Sequence, residues 1–205
     1  MDWTPEYKGM DPEEFEFENT QWDNHPVYSK MNKETKLEFL TDLNSWALSQ
    51  FLHGEQGALL VASQLASCAP TFNAKLYAAS QTFDEARHVE AFNKYLQQRL
   101  KRSWPIGRAL KGLLDKILTD PRWDLKFIGM QVVIEGLALA AFNAAKEATN
   151  DPVYKQMLEY IIRDEARHVT FGINYLKDFV TTLSEEEVLD RAQFALEACL
   201  SLIHI

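Results

Sequence analysis

Features of several common protein classes are scarce in this sequence or missing from it. The 205 residues include only two cysteines, Cys68 and Cys199, and no Cys-x-x-Cys, which argues against a disulfide framework and against a rubredoxin-type iron site. No apolar run of about 18 residues is free of charge. The start, Met1-Asp2-Trp3, has neither a basic residue nor a following apolar stretch. We therefore expect no membrane span and no secretory signal.

An excess of basic residues is also missing. The 21 lysines and arginines are outnumbered by 30 aspartates and glutamates, which leaves a net charge of −9 and argues against nucleic acid as a partner. With 46% hydrophobic residues, a chain of this length can bury one good core. The few, widely spaced cysteines favour a reducing, cytoplasmic location.

The most informative feature is a six-residue motif that occurs twice, eighty positions apart. Asp-Glu-Ala-Arg-His-Val occupies 84–89 and again 164–169. A further glutamate precedes each copy by the same 30 residues, and the resulting set is Glu55, Glu85, His88, Glu135, Glu165 and His168. Four carboxylates and two imidazoles are thus arranged as Glu…Glu-x-x-His, twice. This is the ligand set of a helical bundle that holds two metal ions.

The spacing of these residues fits two helical hairpins. Pro70 lies 15 residues from both Glu55 and Glu85, and Asn150-Asp151-Pro152 breaks the second interval in the same way. With a rise of ~1.5 Å per residue, each hairpin places its two glutamates at one depth, roughly 22 Å from the turn. Positions i and i+3 share a helix face. All six side chains can therefore meet halfway along a four-helix bundle.

The charges of such a centre balance. Four carboxylates carry about −4, and two divalent cations would carry +4, whereas the carboxylates alone would repel one another in a buried site. The alternative is a buried ion-pair network with Arg87 and Arg167 as counter-ions. Because the whole set of three residues occurs twice, the pattern favours metal binding.

The predicted fold is all-α: a ferritin-like four-helix bundle with a long crossover helix and an additional C-terminal helix. We expect hairpins over about 34–100 and 123–181, within a domain that covers 34–205. The crossover, 101–122, has apolar residues at helical spacing and can run the ~45 Å length of the bundle, as the ferritin-like topology requires. The last helix should begin near Ser184, since Ser184 and Glu187 have the spacing of a capping box.

Residues 1–33 have the composition of an extended arm. Prolines interrupt them, and acidic residues alternate with aromatic ones. We expect the aromatic side chains to pack on the bundle or on a second subunit; they are Trp3, Tyr7, Phe15, Phe17, Trp22 and Tyr28.

Asp84 and Asp164 each precede a motif glutamate by one residue. A histidine that binds metal through one nitrogen normally donates its other N–H to a carboxylate or a carbonyl. We therefore expect each aspartate to contact the histidine of the facing hairpin, with Arg87 and Arg167 neutralising the aspartates. The alternative is an ordinary Asp–Arg pair at i, i+3 on the surface. His53 and His204 are not expected to be ligands.

The two Asp-Glu-Ala-Arg-His phrases, with Glu55 and Glu135, resemble the ferritin-like diiron carboxylate proteins. They look like the Asp-Glu-x-Arg-His pattern of bacterial multicomponent monooxygenase hydroxylases, and similar centres occur in ribonucleotide reductase small subunits and arylamine N-oxygenases. The resemblance covers roughly residues 35–180. It implies that Glu55, Glu85 and His88 serve one iron ion and Glu135, Glu165 and His168 the other, with Glu85 and Glu165 as bridging carboxylates. A manganese–iron pair uses much the same ligands.

The sequence departs from each subfamily at one position. Phe92 stands four residues after His88, where radical-storing reductase subunits have tyrosine, although some manganese–iron reductases also have phenylalanine there. Ile161 replaces the additional histidine of the N-oxygenases, and Leu139 replaces the threonine of the multicomponent monooxygenases. The resemblance is therefore to the superfamily rather than to one of its branches.

These observations predict an enzyme, an O₂-dependent diiron oxidase or oxygenase that acts on a small apolar or aromatic substrate with an external electron donor. Gly54, Gly57 and Gly136 would either leave room beside the metals or let helices approach closely. The alternatives are a ferroxidase or iron-storage protein, a manganese–iron radical subunit, and a bundle without catalysis. The arm, crossover and last helix exceed a plain ferritin bundle, so we expect a homodimer rather than a storage shell.

Overall fold

The computed structural model describes residues 1–9 and 22–203. In this part of the chain every regular element is helical, and the prediction of an all-α bundle is confirmed. The helices are α1 (Lys33–Cys68), α2 (Phe72–Tyr95), α3 (Arg108–Thr119), α4 (Trp123–Lys126), α5 (Glu135–Ala148), α6 (Pro152–Val180) and α7 (Glu185–Leu202). Two π-helical segments, Leu96–Leu100 and Phe127–Ile134, extend α2 and join α4 to α5.

Polar side chains cap the N-termini of several of these helices. The Thr71 hydroxyl accepts a hydrogen bond from the N–H of Ala74 at 3.2 Å, and the Asp151 carboxylate caps α6. Ser184 and Glu187 form the predicted capping box, with the Ser184 N–H donating to Glu187 Oε2 at 2.9 Å. Such caps satisfy N–H groups that have no partner within the helix and contribute about 0.5–2 kcal/mol each.

The helices form two hairpins that run in the same direction. Residues 69–71 join α1 to α2, and residues 149–151 join α5 to α6. Tyr175 on α6 contacts the first residues of both α2 and α4. Its hydroxyl lies 2.8 Å from Oγ1 of Thr71, which precedes α2, and its ring centroid lies 5.7 Å from that of Trp123, which begins α4. Since α2 and α4 begin at the same end of the bundle, the chain between them must cross its length, as predicted.

The crossover lies along α1. Gln50 accepts a hydrogen bond from the N–H of Gly107 at 2.7 Å and donates to the carbonyl of Pro105 at 3.2 Å. A Cβ atom on Gly57 would lie 2.5 Å from Leu114 Cδ2. Glycine at this position therefore allows α3 to approach α1 closely. Of the two roles expected for the glycines, Gly57 thus has the one in helix packing.

Buried apolar side chains form two clusters, and the acidic and histidine residues lie between them. On α1 one cluster includes Leu48 and the other Val61, on either side of Glu55; on α6 they include Leu158 and Leu176, on either side of Glu165. The bundle is therefore a polar layer enclosed by two apolar layers.

The described part of the predicted arm packs on the bundle. Trp3 and Tyr7 lie against one apolar cluster, and Arg99 donates to the carbonyl oxygens of Trp3 and Pro5 at 3.2 and 2.6 Å. Trp22 and Tyr28 pack edge-on against Phe39. The positions predicted for Phe15 and Phe17 lie outside the described residues.

One described helical stretch, Trp123–Ala148, is long and apolar enough to cross a membrane by length and composition. Of its apolar window, 56% is buried inside the bundle, and Glu135 lies in its middle with the other candidate ligands. A core helix of a bundle has the same properties. Cys68 and Cys199 are both exposed, free thiols.

Candidate metal centre

The four helices of the hairpins bring all six predicted residues together. Glu55 comes from α1, Glu85 and His88 from α2, Glu135 from the first turn of α5, and Glu165 and His168 from α6. None of them is more than 6% exposed. Four acidic side chains at this depth are unusual, because a buried carboxylate needs a cation or several hydrogen bonds.

The Nδ1 atom of each histidine faces three glutamate carboxylates. His88 Nδ1 lies 3.2 Å from Glu55 Oε2, 3.4 Å from Glu85 Oε2 and 3.0 Å from Glu165 Oε1. His168 Nδ1 lies 3.1 Å from Glu85 Oε1, 3.4 Å from Glu165 Oε2 and 3.9 Å from Glu135 Oε2. Glu85 and Glu165 thus direct one oxygen to each histidine, whereas Glu55 and Glu135 approach only one.

The donor atoms fall into two groups that could each hold a metal ion. One group is Glu55, Glu85, His88 and Glu165; the other is Glu85, Glu135, Glu165 and His168. In each group the donor atoms lie within 4.8 Å of one another. A ligand set of carboxylates and imidazoles is suited to iron and manganese.

Several of these atoms lie close to an imidazole or carboxylate but form no hydrogen bond of adequate geometry in the described structure. They are Glu85 Oε2, Glu135 Oε2, both carboxylate oxygens of Glu165, and His168 Nδ1. A buried acceptor without a partner costs about 1–3 kcal/mol, and more when it is charged. Two divalent cations between the histidines would satisfy these atoms and balance the four carboxylates, so the residues present fit a dinuclear centre.

The aspartates contact the histidines across the hairpins. His88 Nε2 lies 3.2 Å from Asp164 Oδ2, and His168 Nε2 lies 3.3 Å from Asp84 Oδ2. The predicted pairing with the facing hairpin is therefore present. These contacts leave Nδ1 of each ring directed at the carboxylates, as a metal ligand requires.

Two arginines complete this arrangement at the surface between α2 and α6. Arg167 Nη2 lies 3.0 Å from Asp84 Oδ2 and 2.9 Å from Asp164 Oδ1, and Arg87 pairs with the same two aspartates. Burial tends to raise the pKa of Asp164, but its contacts with His88 and Arg167 lower the pKa to about 2. Asp164 therefore stays charged, and the contacts of the two aspartates hold the two imidazole rings in place.

We expect Asp84→Ala and Asp164→Ala to weaken metal affinity by about 10–100-fold, because each leaves one imidazole without the partner that orients it. Isothermal titration of the metal-free protein with Fe(II) under anaerobic conditions measures the change. Asp178→Ala, an exposed aspartate of α6, serves as the control and should bind metal as the wild type does. Unchanged affinity in both test variants would mean that the aspartates serve only the surface ion pairs.

Without metal, the centre retains protons. Burial raises the pKa of Glu55 and Glu135 well above the usual range of glutamate. Burial alone would lower the pKa of His168, but its close contacts with Glu165 and Glu85 outweigh burial and raise the pKa to about 11. The same opposing effects raise the pKa of His88, where the bond to Asp164 is the largest contribution after burial.

A metal ion must therefore displace protons, and its affinity should rise with pH. Groups whose pKa is raised on folding stabilise the metal-free protein at low pH, and this stabilisation is lost as pH rises, for His168 between about 6.5 and 11. From pH 6 to 9 we expect the Tm of the metal-free protein to fall and metal to bind about tenfold more tightly per pH unit for each proton released. Proton release on metal addition, followed with an indicator dye, tests this; equal affinity at pH 6 and pH 9 would contradict it.

An apolar cavity of about 120 Å³ reaches the centre. It lies between α1 and α5, and Glu55, Glu135 and Glu165 line its inner end. Apart from Gln50, its other walls are apolar or small, and include Phe51, Gly54, Ala58, Met130, Ile134, Ala138 and Phe142. The room beside the glutamates thus borders Gly54, as expected, but Gly136 does not line it.

A second, larger depression of about 410 Å³ lies on the outer side of His88. Its lining includes the charged side chains of Arg87, Glu90 and Lys94 as well as Trp3. It reaches Asp164 but none of the four candidate ligand glutamates. Of these two, the smaller cavity is therefore the one that gives access to the glutamates of the centre.

The structure also shows where the other candidate residues lie. His53 binds Gln56 and the carbonyl of Trp104, and so fixes the crossover rather than facing the centre. Phe92 is fully buried in an apolar cluster, and the prediction for His204 lies outside the described residues. Sequence reasoning missed Gln81, which contacts two of the glutamates, and the π-helical turn before Glu135.

Comparison of the chain with protein-family models, with curated proteins and with solved structures finds no match. The all-α bundle with its buried Glu/His cluster is compatible with a ferritin-like fold. The geometry of the centre therefore carries the functional argument.

Proposed function

We propose that this protein is an O₂-dependent diiron oxidase or oxygenase that acts on a small apolar substrate. The observation that carries this proposal is the apolar cavity, which ends on Glu55, Glu135 and Glu165. Its size is close to the ~150 Å³ of a cavity that admits benzene or xenon. A centre that served only to store iron would not need an apolar approach to its ligands.

In this proposal Glu55 and His88 hold one iron ion, Glu135 and His168 hold the other, and Glu85 and Glu165 lie between them. The two irons would supply the electrons and the binding positions that O₂ reduction requires. The protein's own contribution is to keep the imidazole rings oriented through Asp84 and Asp164, and to exclude water with the apolar layers on both sides. The cavity walls would bind and orient the substrate next to the glutamates.

The electron balance of the reaction determines whether the enzyme needs an electron donor as a partner. If one oxygen atom enters a C–H bond of the substrate, the substrate supplies two of the four electrons that O₂ takes up. The other two must come with two protons from an external donor, and the second oxygen atom leaves as water. We therefore propose a reductase or a small electron carrier as the partner of an oxygenase. An oxidase that takes two electrons from its substrate needs no donor if O₂ leaves as H₂O₂, and needs one only if O₂ is reduced to two water molecules.

The test begins with anaerobic loading of the metal-free full-length protein with Fe(II), followed by metal analysis and addition of O₂. We expect two irons per chain, rapid oxidation of both, and retention of both through repeated cycles of reduction and oxidation. Small apolar compounds, added as candidate substrates, should accelerate the decay of the O₂-induced absorbance. Fewer than two irons per chain would refute the dinuclear centre.

The same samples distinguish storage from catalysis. An iron-storage protein would assemble into a hollow shell of many subunits and take up tens of irons per chain. We expect light scattering to show a small oligomer, a homodimer by proposal, with about two irons per chain during turnover. A large shell that accumulates iron would replace the oxygenase proposal by storage.

A further inference from the structure

Gln81 is buried within the centre and contacts two of the candidate ligands. It is 2% exposed, lies one helical turn before Glu85, and therefore faces the same side of α2. Its Nε2 donates to Glu135 Oε1 at 2.8 Å and to Glu85 Oε1 at 3.1 Å. Both amide hydrogens are thus directed at carboxylates, and Glu135 Oε2 is left without a donor.

A second glutamine lies beside the first. The side-chain amide of Gln131 lies 3.2 Å from Gln81 Oε1. The reversed Gln131 amide could donate to the carbonyls of Lys126 and Phe127 at 3.2 and 3.3 Å. It would, however, set two amide oxygens 3.2 Å apart, since the carboxylates hold the nitrogen of Gln81. The unreversed amide instead donates to Gln81 Oε1 but sets Gln131 Oε1 against those two carbonyl oxygens. Gln131 therefore contacts Gln81 in either orientation.

This pair breaks the internal repeat. An offset of eighty residues relates the two copies of the motif, and the places that correspond to Gln81 and Gln131 are Ile161 and Phe51. Ile161 is 3% exposed, and Phe51 packs against Phe142 with ring centroids 4.9 Å apart. Neither side chain offers a hydrogen-bond donor. The surroundings of Glu135 are therefore polar where those of Glu55 are apolar.

We propose that Gln81 is a positioning residue that makes the two metal positions unequal. By holding Glu135 Oε1, its amide leaves Oε2 as the oxygen that Glu135 offers to a metal ion beside His168. Among the described residues no side-chain amide donates to Glu55, whose Oε2 lies 3.2 Å from His88 Nδ1, so Glu55 can offer one or both oxygens beside His88. The position at Glu135 then has fewer protein donors and remains more open to a further ligand. This inference rests on the proposed function, because it assumes metal ions between these residues.

Co(II) is a suitable probe, since its visible absorption is stronger with four or five donors than with six. Titration of the metal-free full-length protein should show two Co(II) ions in separable steps, one of them with the stronger absorption. In Gln81→Met, which keeps the length but removes the donor, Glu135 can rotate. The affinity of one ion should fall by about 10–100-fold, and the stronger absorption should decrease, while the other ion binds as before.

Ile161→Met places the same side chain at the corresponding position and should change neither ion. If circular dichroism shows that Gln81→Met does not fold, Gln131→Met tests the proposal instead. It removes the partner of Gln81 and should weaken binding of the same ion to a smaller extent. Two unchanged ions, or an equal loss at both, would overturn the role of Gln81. A wild type that binds fewer than two Co(II) ions would instead refute the dinuclear centre itself.

Discussion

Replacing Glu85 or Glu165 by alanine is expected to remove most of the metal-binding capacity. Each of these carboxylates directs one oxygen towards each histidine, so its loss affects both metal positions. We expect the metal content to fall from two ions per chain to well below one. Metal analysis after anaerobic loading and gel filtration measures the change.

The loss of metal must be separated from unfolding. Each of these carboxylates contacts both histidines in the metal-free protein, and removing one partner of a buried ion pair destabilises a protein by about 3–5 kcal/mol. We therefore expect a lower Tm than that of the metal-free wild type, and metal content is compared only for samples that circular dichroism shows to be folded. Glu90→Ala and Glu159→Ala change exposed glutamates on the same two helices and provide matched controls. If Glu85→Ala still held two ions, the assignment of the shared carboxylates would be wrong.

Gly54→Leu should block access to the centre without loss of metal. A Cβ atom at Gly54 meets no heavy atom within 4 Å, and the residue lines the apolar cavity. The leucine side chain can therefore enter the cavity. We expect binding of xenon or benzene to be lost and substrate oxidation to fall by about 100-fold or more, as for other misplaced substrates. Two irons per chain should remain.

Gly136→Leu is the matched control. A Cβ atom at Gly136 also meets nothing within 4 Å, but this glycine does not line the cavity. Both changes replace a glycine inside a helix, which should raise helix stability by up to about 1 kcal/mol, so a lower Tm would not explain lost activity. If Gly54→Leu oxidised substrate at the rate of the wild type, the substrate would have to reach the centre by another route.

The helices and their ends could be predicted because local interactions determine them. Thr71, Asp151 and Ser184 cap helices through side chains a few residues from the N–H groups that they accept. The crossover followed from chain length alone. The π-helical turn Phe127–Ile134 could not be predicted, because its hydrogen-bond register depends on packing. A Cβ on Gly129 there would lie 2.7 Å from Ile117 of α3.

The meeting of the six acidic and histidine side chains could also be predicted, since the repeat places them at equal depths in two hairpins. The position of Gln81 in the sequence does indicate that it faces the centre, because it lies four residues before Glu85 and so shares its helix face. Its counterpart in the repeat is Ile161, and a search for repeated polar residues therefore passes over it. The cavity depends on how α1 and α5 pack, and the sequence could not distinguish Gly54 from Gly136.

Neither hairpin alone holds a complete group of candidate metal ligands. His88 on α2 is oriented by Asp164 of α6, and His168 on α6 is oriented by Asp84 of α2. Such reciprocal contacts, in which residue i meets j and j meets i, are the pattern of an interface between two identical subunits related by a twofold axis. The chain is in this respect a covalently linked dimer of hairpins. Metal ions at its centre would oppose separation of the halves as a ligand at a subunit interface opposes dissociation.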